Sequence, residues 1–345
     1  MWRRLLPLFR TPAAAHVVQA GIRAEATARR TAQQALSQWD ALLHNMIGPA
    51  VDPQLERIRA LEYQLEPDGH RLINTAPGRR PVVHWHESGA GEVVLLLNGW
   101  TASGLVWPTA WINELSGRYR VVRVDNRGSG WSRSAPSPFT IAELADDAAA
   151  VLSFLGVRSA IVLGYSMGGM IAQELALRYP GIVRKLVLVG TKPPIPEDIP
   201  AGFAAFASAL APPAEGGEIR AYFRALWSGF GAPGFADQHP DILDEIVEKT
   251  VRRPTPRDGV FAQLRAVAGW SGPQRLRALS TDTIVVHGDV DPLMPVANGP
   301  RLAELIPHAR YLELPGVGHL VAYEAGEVLT DLIDTTDISR RKADH

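Results

Sequence analysis

Ala160-Ile161-Val162-Leu163-Gly164-Tyr165-Ser166-Met167-Gly168-Gly169 is the stretch on which the reading of this chain turns. An apolar, β-forming run leads into a serine with a glycine two positions to either side, and an apolar-periodic helix follows from Met170 to Tyr179. A strand that reverses so sharply into a helix strains the residue at its apex, and the neighbours two positions away must be nearly free of side chain. Gly164 and Gly168 supply that room. The turn lifts the Ser166 hydroxyl out of the sheet and sets a helix N-terminus behind it, where free backbone N–H groups can meet a developing negative charge. The pattern is that of a nucleophile elbow, with Ser166 as an enzyme nucleophile.

The elbow sits inside an alternation of strands and helices that begins near Pro81, the signature of a doubly wound sheet. Before it, 82–86 reads as an early strand, 93–97 as a continuous apolar strand buried on both faces, and 120–124 as a strand ending at Asp125. A helix is expected over 140–155, with Thr140 as N-cap and Glu143 closing a capping box. After it, 185–189 is another apolar strand, and strands return at 283–287 and 309–314. Residues 192–282 open with four prolines and carry helical patterns near 202–211, 217–227 and 240–251, with no strand among them. That is too long for a loop, and it reads as a helical cap inserted over the mouth of the site. The expected fold is α/β: a doubly wound, mostly parallel sheet with this inserted cap and an extra N-terminal helical arm. The divisions are a helical extension at 1–60, a core at 61–191 and 283–337, the cap at 192–282 and a tail at 338–345.

Composition narrows the function. The 345 residues carry a net charge of −1, which argues against a general nucleic-acid binder. There is no cysteine, so thiolate catalysis, disulfides and Cys-ligated metals are excluded. No apolar run approaches the roughly 20 residues that span a bilayer, and the apolar stretch at the N-terminus is too short and broken for a signal peptide. A cytoplasmic location is expected. Residues 1–39 hold six arginines against the single acid Glu25. They read as an arm packed on the main domain, with peripheral contact to an anionic membrane as the other reading.

A serine hydroxyl becomes a nucleophile when a base takes its proton, and that base needs a third group to fix its tautomer. Of ten histidines, His319 stands out, because it lies in the glycine-rich loop Pro315-Gly316-Val317-Gly318-His319 after the 309–314 strand. Two carboxylates, Asp289 and Asp291, follow the strand that ends at His287. With Asp291 the chain order is Ser166, Asp291, His319, the order expected for this kind of sheet. His287, at the end of a strand, reads as structural.

Four motifs in order, each after a strand, resemble the α/β-hydrolase superfamily in its capped branch of esterases, lactonases, C–C hydrolases and cofactor-free perhydrolases. They are Gly164 to Gly169, Asp125 to Ser132, Gly288 to Pro295, and Gly316 to His319, and the resemblance covers about residues 80–335. It implies Ser166 as nucleophile, His319 as general base then acid, and Asp291 as the orienting carboxylate. The family pattern Gly-x-x-Asp-x-x-x-Pro falls on Gly288, Asp291 and Pro295, which leaves Asp289 a structural role. It also implies an oxyanion hole made by the Met167 and Trp100 amides. Relatives usually carry histidine where Asn98 stands, a departure that bears on loop geometry and substrate choice. The Asp125-x-Arg127-Gly128-x-Gly130-x-Ser132 loop is implied to be structural.

Trp100, Trp107 and Met167 near the nucleophile, with Phe203, Phe206, Phe223, Trp227 and Phe230 from the cap, suggest a hydrophobic, uncharged substrate; Arg224 is the one candidate for a carboxylate contact. The expected substrate-binding set is Trp107, Phe206, Trp227 and Phe230. The expected activity is hydrolysis of a carboxylic ester or lactone, with no cofactor and no metal. The alternatives are C–C hydrolysis of a ring-cleavage diketone or perhydrolysis by the same triad, and a non-catalytic binding protein on the same fold. A small-molecule ester is the expected partner, and the oligomeric state is left open.

Overall fold

The computed structural model describes residues 70–73, 82–133, 138–194 and 219–335. The expected extension at 1–60, the tail at 338–345, the helical pattern at 202–211, and Phe203 and Phe206 lie outside the described residues.

Eight strands form one sheet: β1 (His70–Ile73), β2 (Val82–Ser88), β3 (Val93–Leu97), β4 (Arg120–Val124), β5 (Ala160–Tyr165), β6 (Val183–Val189), β7 (Asp282–Gly288) and β8 (Arg310–Leu314). Their order is β1-β2-β4-β3-β5-β6-β7-β8. β1 and β2 pair antiparallel, as do β2 and β4, and every pairing from β4 across to β8 is parallel. β3 and β5 lie at the centre and read as unbroken apolar runs because both faces of the sheet are covered.

Alternation along β3 splits the core in two. Leu95 and Leu97 face one layer, packed with α2 (Ile141–Phe154), α3 (Met167–Arg178) and α8 (Asn298–Leu305). Val94 and Leu96 face the other, packed with α1 (Thr109–Ser116) and α10 (Gly326–Asp334). α2 starts where its cap requires: Thr140 Oγ1 accepts from the Glu143 amide at 3.2 Å, and Glu143 Oε2 accepts from the Thr140 amide at 3.0 Å. Such a cap contributes about 1 kcal/mol. α3 starts at Met167, three residues before the sequence reading put it, since the chain turns into the helix directly at Ser166.

Between β6 and β7 the described residues form α4 (Ile219–Ser228), α5 (Phe235–Gln238), α6 (Pro240–Arg252) and α7 (Arg257–Ala268), then a 3-10 turn at Pro273–Ala278. There is no strand among the described residues of this stretch. Leu226, Trp227, Phe230, Leu243, Ile246 and Val247 from it pack with Ala102, Val106 and Leu320 into a third cluster. The short α9 (Val321–Glu324) follows the loop that carries His319. β1, α1, α5, α7, α8 and α9 had no counterpart in the sequence reading.

Candidate active site

The elbow is set by sterics. Ser166 has φ 55 and ψ −119, a left-handed backbone in a residue with a side chain. Such a conformation costs on the order of 1–3 kcal/mol and persists only where neighbours over-determine it. Here they do. A Cβ on Gly164 would stand 2.7 Å from the Gly169 Cα, and one on Gly168 would overlap the Leu97 carbonyl. The Ser166 amide donates to the Val189 carbonyl at 2.9 Å, and the Ser166 carbonyl accepts from Thr191 Oγ1 at 2.7 Å. Ser166 is thereby tied to β6 and the residues just beyond it, with the N-terminus of α3 immediately behind.

Asp291 and His319 meet at the C-terminal ends of β7 and β8. His319 Nδ1 lies 2.6 Å from Asp291 Oδ2. The other carboxylate oxygen accepts from the Leu293 and Met294 amides, both at 2.8 Å. Burial by itself would raise the Asp291 carboxyl. The positive charge His319 carries when protonated, hydrogen bonds from His287 and His319 and the Met294 amide outweigh burial and hold it well below the ordinary carboxylate range. Beside an ionised carboxylate, Nδ1 carries the imidazole proton, which leaves Nε2 as the basic nitrogen. The Gly190 Cα passes so close that a Cβ there would lie 3.4 Å from His319 Nδ1. Asp289 takes no part in this: its Oδ1 accepts from the Gly316 amide at 2.7 Å and shapes the histidine loop. His287 Nε2 lies 2.9 Å from the Met294 carbonyl and 3.5 Å from Asp291 Oδ2, which buttresses the Asp291 turn.

Glu324 is a side chain the sequence reading missed. Its Oε2 accepts from the Gly318 amide at 2.9 Å and from the Ala232 amide at 3.0 Å, while the His319 amide donates to the Phe230 carbonyl at 2.8 Å. The histidine loop is thus laced to the segment between α4 and α5. Burial raises the Glu324 carboxyl, and the two amides offset only part of that.

On the opposite side, Asn98 closes the loop after β3. Its Oδ1 accepts from the Gly99 amide at 2.9 Å and its Nδ2 donates to the Ser103 carbonyl at 2.6 Å. The role needs one acceptor and one donor on a short planar side chain, which an amide provides. The same loop brings Gly99 against the elbow, where a Cβ would be 3.2 Å from the Ser166 Cβ. Met167 is the first residue of α3, so its N–H has no acceptor within the helix.

Ser166 and His319 border one cleft of about 630 Å³, its open mouth included. Trp100, Met167, Met170, Trp227, Phe230, Leu264 and Met294 are among the apolar residues of its wall, and among the described residues His319 is the one ionisable side chain there besides the Tyr165 phenol. The sequence reading had Trp100, Met167, Trp227 and Phe230 but missed Leu264 and Val267, one face of α7 at a three-residue spacing. Trp107 does not line this cleft: its buried ring lies 5.6 Å from the Trp111 ring and 6.0 Å from that of Tyr165, and it borders a smaller pocket that shares Tyr165 and Trp227 with the cleft. Phe223 is partly buried against the third cluster rather than in the wall. Arg224 is paired with Asp244.

The loop after β4 is structural in detail. Asp125 accepts from the Gly104 amide at 2.6 Å and the Trp131 amide at 2.9 Å, and Arg127 forms a two-point pair with Asp147, one bond measuring 2.8 Å. Among the described residues no three His, Asp or Glu side chains are grouped to hold a metal ion, and no helix is long and apolar enough to cross a membrane.

A sequence profile for the alpha/beta hydrolase fold matches residues 92–325. A non-heme haloperoxidase from Rhodococcus erythropolis is 28% identical over 268 residues, 73% of this chain and 94% of that protein. Among solved structures, an esterase from Thermogutta terrifontis is similar over 77% of this chain and 96% of its own, with TM-score 0.65 and 26% identity. Est816, described as an N-acyl homoserine lactone degrading enzyme, is similar over 76% of this chain and 98% of its own, with TM-score 0.63 and 26% identity.

Proposed function

The chain belongs to the alpha/beta hydrolase fold family, and we propose that it is a serine hydrolase of carboxylic esters or lactones with an apolar acyl or ring portion. Ser166 Oγ attacks the carbonyl carbon while His319 Nε2 takes the hydroxyl proton. Asp291 holds the imidazole by Nδ1 and stabilises the imidazolium that forms. The tetrahedral oxyanion is met by the Met167 and Trp100 amides, an interaction worth about 3 kcal/mol of barrier per donor. Collapse expels the alcohol, which receives its proton from His319 and leaves an acyl group on Ser166. Water then attacks the acyl carbon as His319 takes its proton, and His319 returns that proton to Ser166 Oγ as the acyl–oxygen bond breaks and the acid is released. In a lactone the alcohol stays tethered to the acid.

The observation that carries this reading is the strained Ser166 turn opening on the same cleft as a histidine already oriented by a buried carboxylate. The apolar wall supports the substrate class, because among the described residues it offers a buried charge no ionisable partner beyond His319 and the Tyr165 phenol. In this reading the inserted helices, over the expected span 192–282, serve as a cap that supplies Trp227, Phe230, Leu264 and Val267 to the wall. The test is turnover of a panel of p-nitrophenyl esters and acyl lactones. Neutral butyrate- to octanoate-sized substrates are expected to be cleaved and anionic hemisuccinates refused; inertness to the whole panel would reject the proposal.

The likeness to a non-heme haloperoxidase favours one second reading. Hydrogen peroxide would replace water in the second half-reaction and release a peracid from the same acyl-enzyme. Peracid formed from acetate and peroxide by the wild type, and lost in Ser166→Ala, would support it.

A further inference from the structure

The loop that carries Trp100 is held from outside the core. Thr101 has φ 64, a left-handed backbone in a β-branched residue, and this conformation fixes the direction of the peptide units on either side of it. Three hydrogen bonds reach the loop from the segment between α6 and α8. Thr255 Oγ1 donates to the Thr101 carbonyl at 2.6 Å, Trp100 Nε1 donates to the Val260 carbonyl at 2.9 Å, and Gln263 Oε1 accepts from the Thr101 amide at 2.8 Å. Gln263 is fully buried, and its amide nitrogen donates to the Arg127 carbonyl at 2.8 Å. Arg127 is anchored in turn on Asp147 of α2. The first turn of α7 lies against the loop after β4, which carries Arg127, so closely that a Cβ on Gly128 would stand 2.9 Å from the Gly259 Cα. One path therefore runs from Thr101 through Gln263 and Arg127 to Asp147.

We infer that Gln263 is a positioning residue for the oxyanion hole, the α7 side chain that holds the Thr101 amide and thereby sets the neighbouring Gly99–Trp100 peptide so that its Trp100 N–H can meet a tetrahedral oxyanion. The inference rests on the hydrolase reading above. Gln263 touches neither substrate nor nucleophile and is absent from the cleft wall. Its effect is selective for that reason: it leaves ground-state binding alone and acts where charge develops. Only a neutral amide suits the position, since one end must accept from an N–H and the other must donate to a carbonyl.

The experiment compares wild type with Gln263→Met and Gln263→Glu. Methionine matches the length and keeps neither bond; glutamate keeps the acceptor but sets a second oxygen against the Arg127 carbonyl. The measurements are kcat and KM on a p-nitrophenyl ester, the dissociation constant of phenylboronic acid (an adduct of Ser166 that presents an oxyanion-like oxygen), and amide hydrogen exchange over residues 99–102. Both variants should lose about 10- to 100-fold in kcat, less than the loss of a whole donor. Boronate affinity should fall in parallel, KM should stay within about threefold, and exchange should speed up at 99–102 with no change at 164–170. Folded variants with wild-type kcat, boronate affinity and loop exchange would overturn the inference, as would equal losses in KM and at 164–170, the mark of general loosening. A wild type inert to both ester and boronate would reject the hydrolase reading itself, and is seen before any variant is compared.

Discussion

The elbow and the two loops that flank it are built in different ways. Ser166 is fixed by its own neighbourhood: a strand, a helix, glycines with no space for a side chain, and ties to β6 and Thr191. The flanking loops are fixed from far away in the chain. Trp100 and Thr101 are held by Val260 and Gln263, His319 by Phe230, and Gly318 is linked to Ala232 through Glu324, six residues further on. The Ser166 turn is thus a property of the sheet. The loops around it also depend on the helices between β6 and β7, which hold them and line the cleft.

Substitutions at the reacting atoms should break this contrast open most widely. Ser166→Ala and His319→Ala should each lower kcat on an active ester by on the order of 10⁶ with folding intact, measured in steady state beside circular dichroism. Asp291→Asn comes next, at about 10⁴, because the wrong histidine tautomer would face the serine. Asp289→Asn should change kcat by less than about threefold, since it shapes the loop without touching the imidazole. Asp291 also carries a pH signature. Its folded pKa lies below its unfolded one, so its contribution to stability is complete above about pH 5 and is lost as pH falls toward the folded value. Asp291→Asn should flatten that acid limb in denaturant titrations.

Substitutions in the supports should separate stability from rate. Gly168→Ala should cost about 3 kcal/mol or more in urea unfolding, because the added Cβ meets backbone that cannot yield. Glu324→Ala should cost about 1–3 kcal/mol, through two amides left without an acceptor. Glu324→Gln, which keeps an acceptor oxygen and removes a buried charge, should recover most of that. If alanine and glutamine prove equally harmful, the charge and not the lacing is what Glu324 contributes.

Much of the sheet was legible in the sequence because β3 and β5 are buried on both faces and read as apolar runs, while β4 and β6 keep an apolar majority around their arginines and Lys185. The elbow was legible because its glycines are a local steric demand. Asp291 and His319 could be named from motif and order, and the structure brings their side chains together. What stayed hidden has a common cause. Gln263 and Glu324 are ordinary polar residues in their own segments, and their meaning comes only from partners more than 80 residues away, or from a fold-dependent return of the chain. Where the Trp107 ring lies, buried beside Trp111 and bordering a smaller pocket next to the cleft, was not legible from its closeness in sequence to the loop after β3. Asn98 looked like a defect in the family pattern and is the brace that closes its loop.

The central claim is that Ser166 is the activated nucleophile of this cleft. It is tested most directly by treating the intact protein with a fluorophosphonate and mapping the adduct by peptide mass spectrometry. The account predicts one adduct per chain, on Ser166, with the label absent from Ser166→Ala and strongly slowed in His319→Ala. An unlabelled wild type, or a label on any other residue with Ser166 unmodified, would contradict it.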